Sequence, residues 1–302
     1  MAELSGYLNV YKEKGLTSHD VVYKVRQILK TKKIGHTGTL DPNAEGVLVL
    51  CIGKATKMVQ YLSDLDKVYE AEIIFGKETD TCDITGQVTE EKKADFTDQA
   101  FLNALSRFKG ETMQVPPIYS ALKVNGKKLY QYARAGETID IPARSIFIKQ
   151  LNAIETTHLP NRARFVVECS KGTYIRSLCR DIGKTLSTSA CMGNLKRLRV
   201  GDFRIEYALR LSEINDLMAV ERIDNVIMSP ESALEHFRSV SSNDQGSRFL
   251  RTGNKLYQWN AIENYSDFEH EEILRLYDSG EFMGIGRFCL EKDSYVQPVK
   301  LF

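Results

Sequence analysis

The stretch KIGHTGTLDPNAEGVLVLCIG, residues 33–53, constrains this chain more than any other. Its apolar run VLVLCI (47–52) has the length of a strand, and it offers no polar side chain for a solvated face. Such a strand must be covered on both sides. Just ahead of it, Gly35, Gly38, Gly46 and Pro42 crowd around one carboxylate, Asp41. The fold therefore holds a contorted loop at the mouth of a buried strand.

The rest of the pattern mixes helices and strands without a regular βαβ rhythm. In SHDVVYKVRQILKT (18–31), Val21, Val22, Val25, Ile28 and Leu29 mark an amphipathic helix that Thr17 or Ser18 can cap. KATKMVQYL reads as a short helix, VYEAEIIF (68–75) as a strand, and TDQAFLNALSRF (97–108) as a Thr-capped helix. RFVVECS (164–170) is a further strand, turning into a helix with Ile175, Leu178, Ile182 and Leu186 on one face. This is an α+β body. Beyond about residue 239 come short β-rich pieces broken by Gly, Asn and Asp, which predict a small, mainly β second domain. The expected division is 1–238 and 239–302.

The overall charge of +1 conceals an asymmetry. Residues 211–302 hold 9 Lys/Arg against 16 Asp/Glu, and residues 1–210 hold 32 against 24. Basic residues concentrate in 103–150, with 8 against 3 acidic, and in 162–204, with 10 against 3. A basic body of this kind suits a polyanionic partner. No segment approaches the 18 apolar residues of a membrane span, and the N-terminus lacks the pattern of a signal peptide. Six cysteines are scattered without a C-x-x-C, as in a reduced, cytoplasmic protein.

Residue by residue, the chemistry is underdetermined. Asp41 before Pro42 reads as a turn initiator. The glycines fit neither G-x-G-x-x-G nor a P-loop. Five histidines with no i,i+4 pair predict no metal site, and His36 alone reads as structural. DTCDITG (80–86) lacks the EF-hand ligand pattern and reads as a turn. Tyr69 fits a half-buried strand aromatic. Arg176 is the informative residue, because the first turn of a helix disfavours positive charge. A carboxylate or phosphate partner is expected for it.

Together these pieces resemble one family, the bacterial TruB-type tRNA pseudouridine synthases. Six blocks carry the resemblance in order: GYLNVYKEKGLTSHDVVYKVR, GHTGTLDPNAEGVLVLCIGKATK, KVYEAEIIFGKETDTCDITG, VPPIYSALKVNGKKLYQYARAG, CSKGTYIRSLCRDIG and NLKRLRVGDF. It implies a mixed, largely antiparallel sheet with flanking helices, followed by a PUA-like β domain. It implies that Asp41 is the catalytic carboxylate, that Tyr69 packs on the target base, and that Arg176 pairs with Asp41. His36, Tyr174 and Leu195 match positions lining the substrate site. It further implies a tRNA substrate, the T stem-loop, and no metal, nucleotide or redox cofactor. No obligate protein partner is expected. The absence of an exposed heptad seam suggests a monomer.

Uridine-to-pseudouridine conversion breaks the N1–C1′ bond, turns the base and rejoins it through C5. It gains and loses no atoms or electrons overall. One ionised carboxylate serves it, either by covalent addition or as a base. The target base must leave its stack, and an aromatic such as Tyr69 offsets part of that cost. Two rivals use the same residues. A non-catalytic RNA-binding or tRNA-folding module needs no Asp41–Arg176 pair. A nucleoside hydrolase needs a second acid across the scissile bond.

Overall fold

The computed structural model describes residues 4–302. Strands β1 (Gly6–Lys12), β2 (Ile34–His36), β3 (Glu45–Ile52), β4 (Lys67–Phe75), β5 (Gly110–Gln114), β6 (Arg144–Glu155), β7 (Arg162–Cys169), β8 (Ala190–Val200) and β9 (Phe203–Arg204) form one nine-stranded sheet. Its order is β1-β3-β8-β4-β7-β6-β5, with β2 on β3 and β9 on β8. The strands pair antiparallel, except for the β3–β8 join. There only Lys196 faces Glu45 and Arg197 faces Gly46. Gly46 is required at that join. Its φ is +105°, and a Cβ would lie 2.2 Å from the Arg197 carbonyl oxygen.

The apolar run is covered on both faces, as its sequence demands. Val47, Val49 and Cys51 enter one core cluster with Tyr7, Met58 and Leu62. Leu48, Leu50 and Ile52 enter another with Val21, Val25 and Ile214. The second cluster is closed by helices α1 (Ser18–Ile28) and, further along the chain, Leu211–Ala219. Thr17 caps α1 in a reciprocal box with Asp20. Helix α2 (Asp98–Ser106) is capped by the Thr97 side chain, which accepts from the Ala100 N–H. Helix α3 (Ile175–Thr185) lays Ile175, Leu178 and Ile182 on a third cluster with Ala71, Ile73, Phe165 and Val167. KATKMVQYL is a 3-10 segment, Gly53–Met58, followed by a short α-helix, Val59–Ser63.

The last part of the chain forms a five-stranded sheet. In chain order its strands are β10 (Ser239–Ser242), β11 (Leu256–Tyr257), β12 (Ile273–Asp278), β13 (Glu281–Cys289) and β14 (Tyr295–Leu301). They lie side by side as β10-β12-β13-β14-β11. Val240, Leu250, Leu274, Leu276, Phe288 and Val296 form its own core. Ile285 of β13 instead joins the body cluster of Tyr7, Val47 and Val49, and Ile273, Phe282 and Phe302 pack against it. A helix, Asp244–Arg251, also stands where the sequence pattern predicts only short β pieces. No helix among the described residues is long and apolar enough to cross a membrane.

Candidate active site

The loop between β2 and β3 carries Asp41, and three other parts of the chain pin it. From β1, the Lys12 ammonium donates to the Pro42 carbonyl at 3.1 Å, and Gly15 N–H donates to the same oxygen at 2.9 Å. At the start of α1, Ser18 Oγ exchanges hydrogen bonds with Leu40, accepting from its N–H at 2.9 Å and donating to its carbonyl at 3.2 Å. From β8, Arg197 donates to the Gly38 carbonyl at 3.0 Å and to Val47 at 2.7 Å. The loop's backbone polar groups are thus held by partners, as buried backbone requires.

Arg176 meets the Asp41 carboxylate along one edge, Nε to Oδ2 at 3.1 Å and Nη2 to Oδ1 at 3.4 Å. Its remaining donors reach the Thr81 carbonyl at 3.1 Å and the Tyr119 carbonyl at 3.0 Å. The arginine side chain is 8% exposed and Asp41 38%. The cation on the first turn of α3 therefore has the partner its position demands. Burial nevertheless pushes the Asp41 carboxyl above the ordinary range, and Asp83 adds to this. Arg176 and Lys12 pull the other way without prevailing.

Tyr69 lies on β4 directly across from Arg197 of β8. Burial raises its hydroxyl pKa, and the nearby Arg197 charge pulls the other way without prevailing. His36 ends β2, and its Nδ1 is buried without a hydrogen-bond partner. Burial and the nearby Arg197 charge lower its ring pKa, which favours the neutral imidazole. Tyr174 caps α3 and is fixed by Gln114, whose amide accepts from its N–H at 2.8 Å and donates to its carbonyl at 3.1 Å. Leu195 stands on β8 opposite Ala71, 7% exposed.

All six residues named from the sequence, His36, Asp41, Tyr69, Tyr174, Arg176 and Leu195, line a single cleft of about 530 Å³. Lys67, Tyr119, Ser120 and Arg197 line it too and were not singled out by the sequence reading. The DTCDITG segment is a turn, as expected, but its Thr81 carbonyl also holds Arg176. One oriented carboxylate, an aromatic ring and buried cations suit chemistry on a base removed from its stack.

The fold and site place the chain in a class, the pseudouridine synthases. Among solved structures it aligns with a Cbf5–Nop10–Gar1 complex at TM-score 0.78 and 26% identity, covering 98% of this chain and 84% of the other. An archaeal box H/ACA Nop10–Cbf5 complex shares the fold at TM-score 0.76 and 23% identity, covering 98% and 85%. Within that class the chain belongs to the TruB family of pseudouridylate synthases. The sequence model of that family's N-terminal domain matches residues 26–175. That of the tRNA pseudouridylate synthase B C-terminal domain matches residues 176–235. The tRNA pseudouridine synthase B of Lachnoclostridium phytofermentans is 44% identical, over 99% of this chain and 100% of that protein. That of Bacillus pumilus is 40% identical, over 99% and 97%.

Proposed function

We propose that this chain isomerises uridine 55 in the T loop of tRNA to pseudouridine, with Asp41 as the catalytic carboxylate. The observation that carries the reading is the Asp41–Arg176 pair, held edge to edge in a cleft that also presents Tyr69. In this reading the target base is flipped from its stack and rests on the Tyr69 ring, which offsets part of the few kcal/mol that flipping costs. The ionised Asp41 then acts at the base or sugar while N1–C1′ opens and C5–C1′ forms. Arg176 fixes the carboxylate's orientation and opposes its neutralisation by burial. His36, Tyr174 and Leu195 shape the walls, and His36 fills space vacated by the flipped base. A pure RNA-binding module has no use for such a pair.

Residues 1–238 serve as the catalytic body in this proposal, and residues 239–302 as a PUA-like domain that adds to tRNA affinity. The protein acts in the cytoplasm as a monomer without an obligate protein partner. The decisive experiment incubates Asp41→Ala with unmodified tRNA and maps pseudouridine. Product formation is expected to vanish while tRNA binding largely survives. A wild-type rate of formation would overturn the assignment of Asp41.

A further inference from the structure

Besides Arg176, which pairs with Asp41, three cations are buried around the Asp41 loop, and they differ in how their donors are used. Lys12 donates to three carbonyls, those of Glu13, Leu16 and Pro42. Arg197 donates to two carbonyls, those of Val47 and Gly38. Lys67, 7% exposed, donates to one group only, the Ser63 carbonyl at 2.6 Å. The acids beside it in sequence are engaged elsewhere, Asp64 with Lys171 at 2.7 Å and Asp66 with Lys149 at 2.5 Å. Among the described residues Lys67 forms no ion pair. A buried ammonium with unused donors and no counter-ion is costly. An anion entering from the cleft, which Lys67 lines, would relieve that cost.

The surroundings suit a phosphate. The β4–β7 register sets Lys67 opposite Cys169, so the chain leaves the sheet next to Lys67 through Ser170–Thr173. Ser170, Gly172 and Thr173 line the same cleft. Gly172, at φ +79°, has open space where a Cβ would stand. The turn runs directly into the 11-residue helix α3, and Thr173, Tyr174 and Ile175 at its positive dipole end line the cleft.

We infer that Lys67, with the Ser170–Thr173 turn and the start of α3, is the subsite for a backbone phosphodiester of the RNA strand whose target base occupies the cleft. The inference rests on the RNA substrate proposed above and adds the contact that registers the strand. Free of RNA, the ammonium is flanked by Arg197, Cys169, Asp64 and Asp66. Burial and Arg197 hold its pKa down at about 8 against the weaker pulls of the other three. A bound phosphate favours the charged form, so affinity falls as pH rises past about 8.

The test uses the full chain, a tRNA transcript and Lys67→Met. The substitution is expected to raise KM about tenfold with kcat within twofold. It is also expected to flatten the slope of log K against log salt by about 0.7, the share of one single-strand phosphate. A neutral methylphosphonate at the contacted linkage should weaken the wild type to the level of Lys67→Met and leave that variant unchanged. An unchanged salt slope, additive effects, or a fall in kcat alone overturns the proposal. Should Lys67→Met fail to fold, the linkage scan on the wild-type protein decides. If no linkage flanking the target uridine lowers affinity when neutralised, the subsite is refuted. The salt slope and the linkage scan are read from binding without any turnover, so absence of pseudouridine formation would count against the proposed function and not against the subsite.

Discussion

Asp41 sits between opposing influences, and its titration is the sharpest handle on the site. The proposed reaction uses the ionised carboxylate, while burial raises its pKa above the ordinary 3.8. The rate must therefore fall as pH drops through that raised value, so the acid limb of kcat/KM is expected above the usual Asp range. Arg176→Met removes a pull toward the charged form. Its limb should move to still higher pH, and the rate at neutral pH should drop at least about tenfold. A limb that stays put or moves down would show that Arg176 does not tune Asp41. Tyr69→Phe keeps the ring and removes the hydroxyl that stands under the influence of the Arg197 charge. Turnover is expected to fall with it, and a wild-type rate would confine Tyr69 to packing. At this scale the sequence was informative where a charge sat in the wrong place for its helix, as Arg176 did. Lys67 and Arg197 were not legible, because nothing in a sequence marks a lysine or arginine as buried.

Elements explain why the site is rigid. The β3–β8 join is two residue pairs long and depends on Gly46. Gly46→Ala forces a Cβ against the Arg197 backbone at a φ that side chains rarely adopt. It should cost at least about 2 kcal/mol and lower activity together with the melting temperature. Retained stability with normal activity would mean the two strands can part without consequence. The strand at 47–52 was readable because six apolar residues leave no choice of face. The helix Asp244–Arg251 was not, since in DQGSRFLR the only large apolar residues, Phe249 and Leu250, are adjacent and show no helical period. Its signals are the Asn243 side chain accepting from Gly246 N–H and the burial of Leu250 in a core assembled from distant strands.

Over the whole molecule, the change of texture near residue 239 marks a second sheet but says nothing of how it docks. Ile285, Phe282 and Phe302 complete a core cluster built on Tyr7, Val47 and Val49. Lys57 adds a hydrogen bond to the Leu301 carbonyl at 2.5 Å. A fragment ending at residue 238 would expose that face of the body. It is expected to lose about 3 kcal/mol or more and melt several degrees lower. While folded it should still modify tRNA, with weaker affinity. Complete inactivity of a folded fragment would make the C-terminal sheet part of the site.

The three anchors of the Asp41 loop have a consequence for the order of events in refolding. Two of them, from Lys12 and Ser18, lie close by in the chain, but the Arg197–Gly38 contact spans 159 residues. Closing so long a span is entropically late and waits for β4 and β8 to find each other. Helical signal should therefore return before activity, and the interval between them is the time the chain spends with the Asp41 loop unshaped. If Asp41 is the reacting group, a loop completed only by the most distant of its three anchors keeps the protein from acting on RNA while half made.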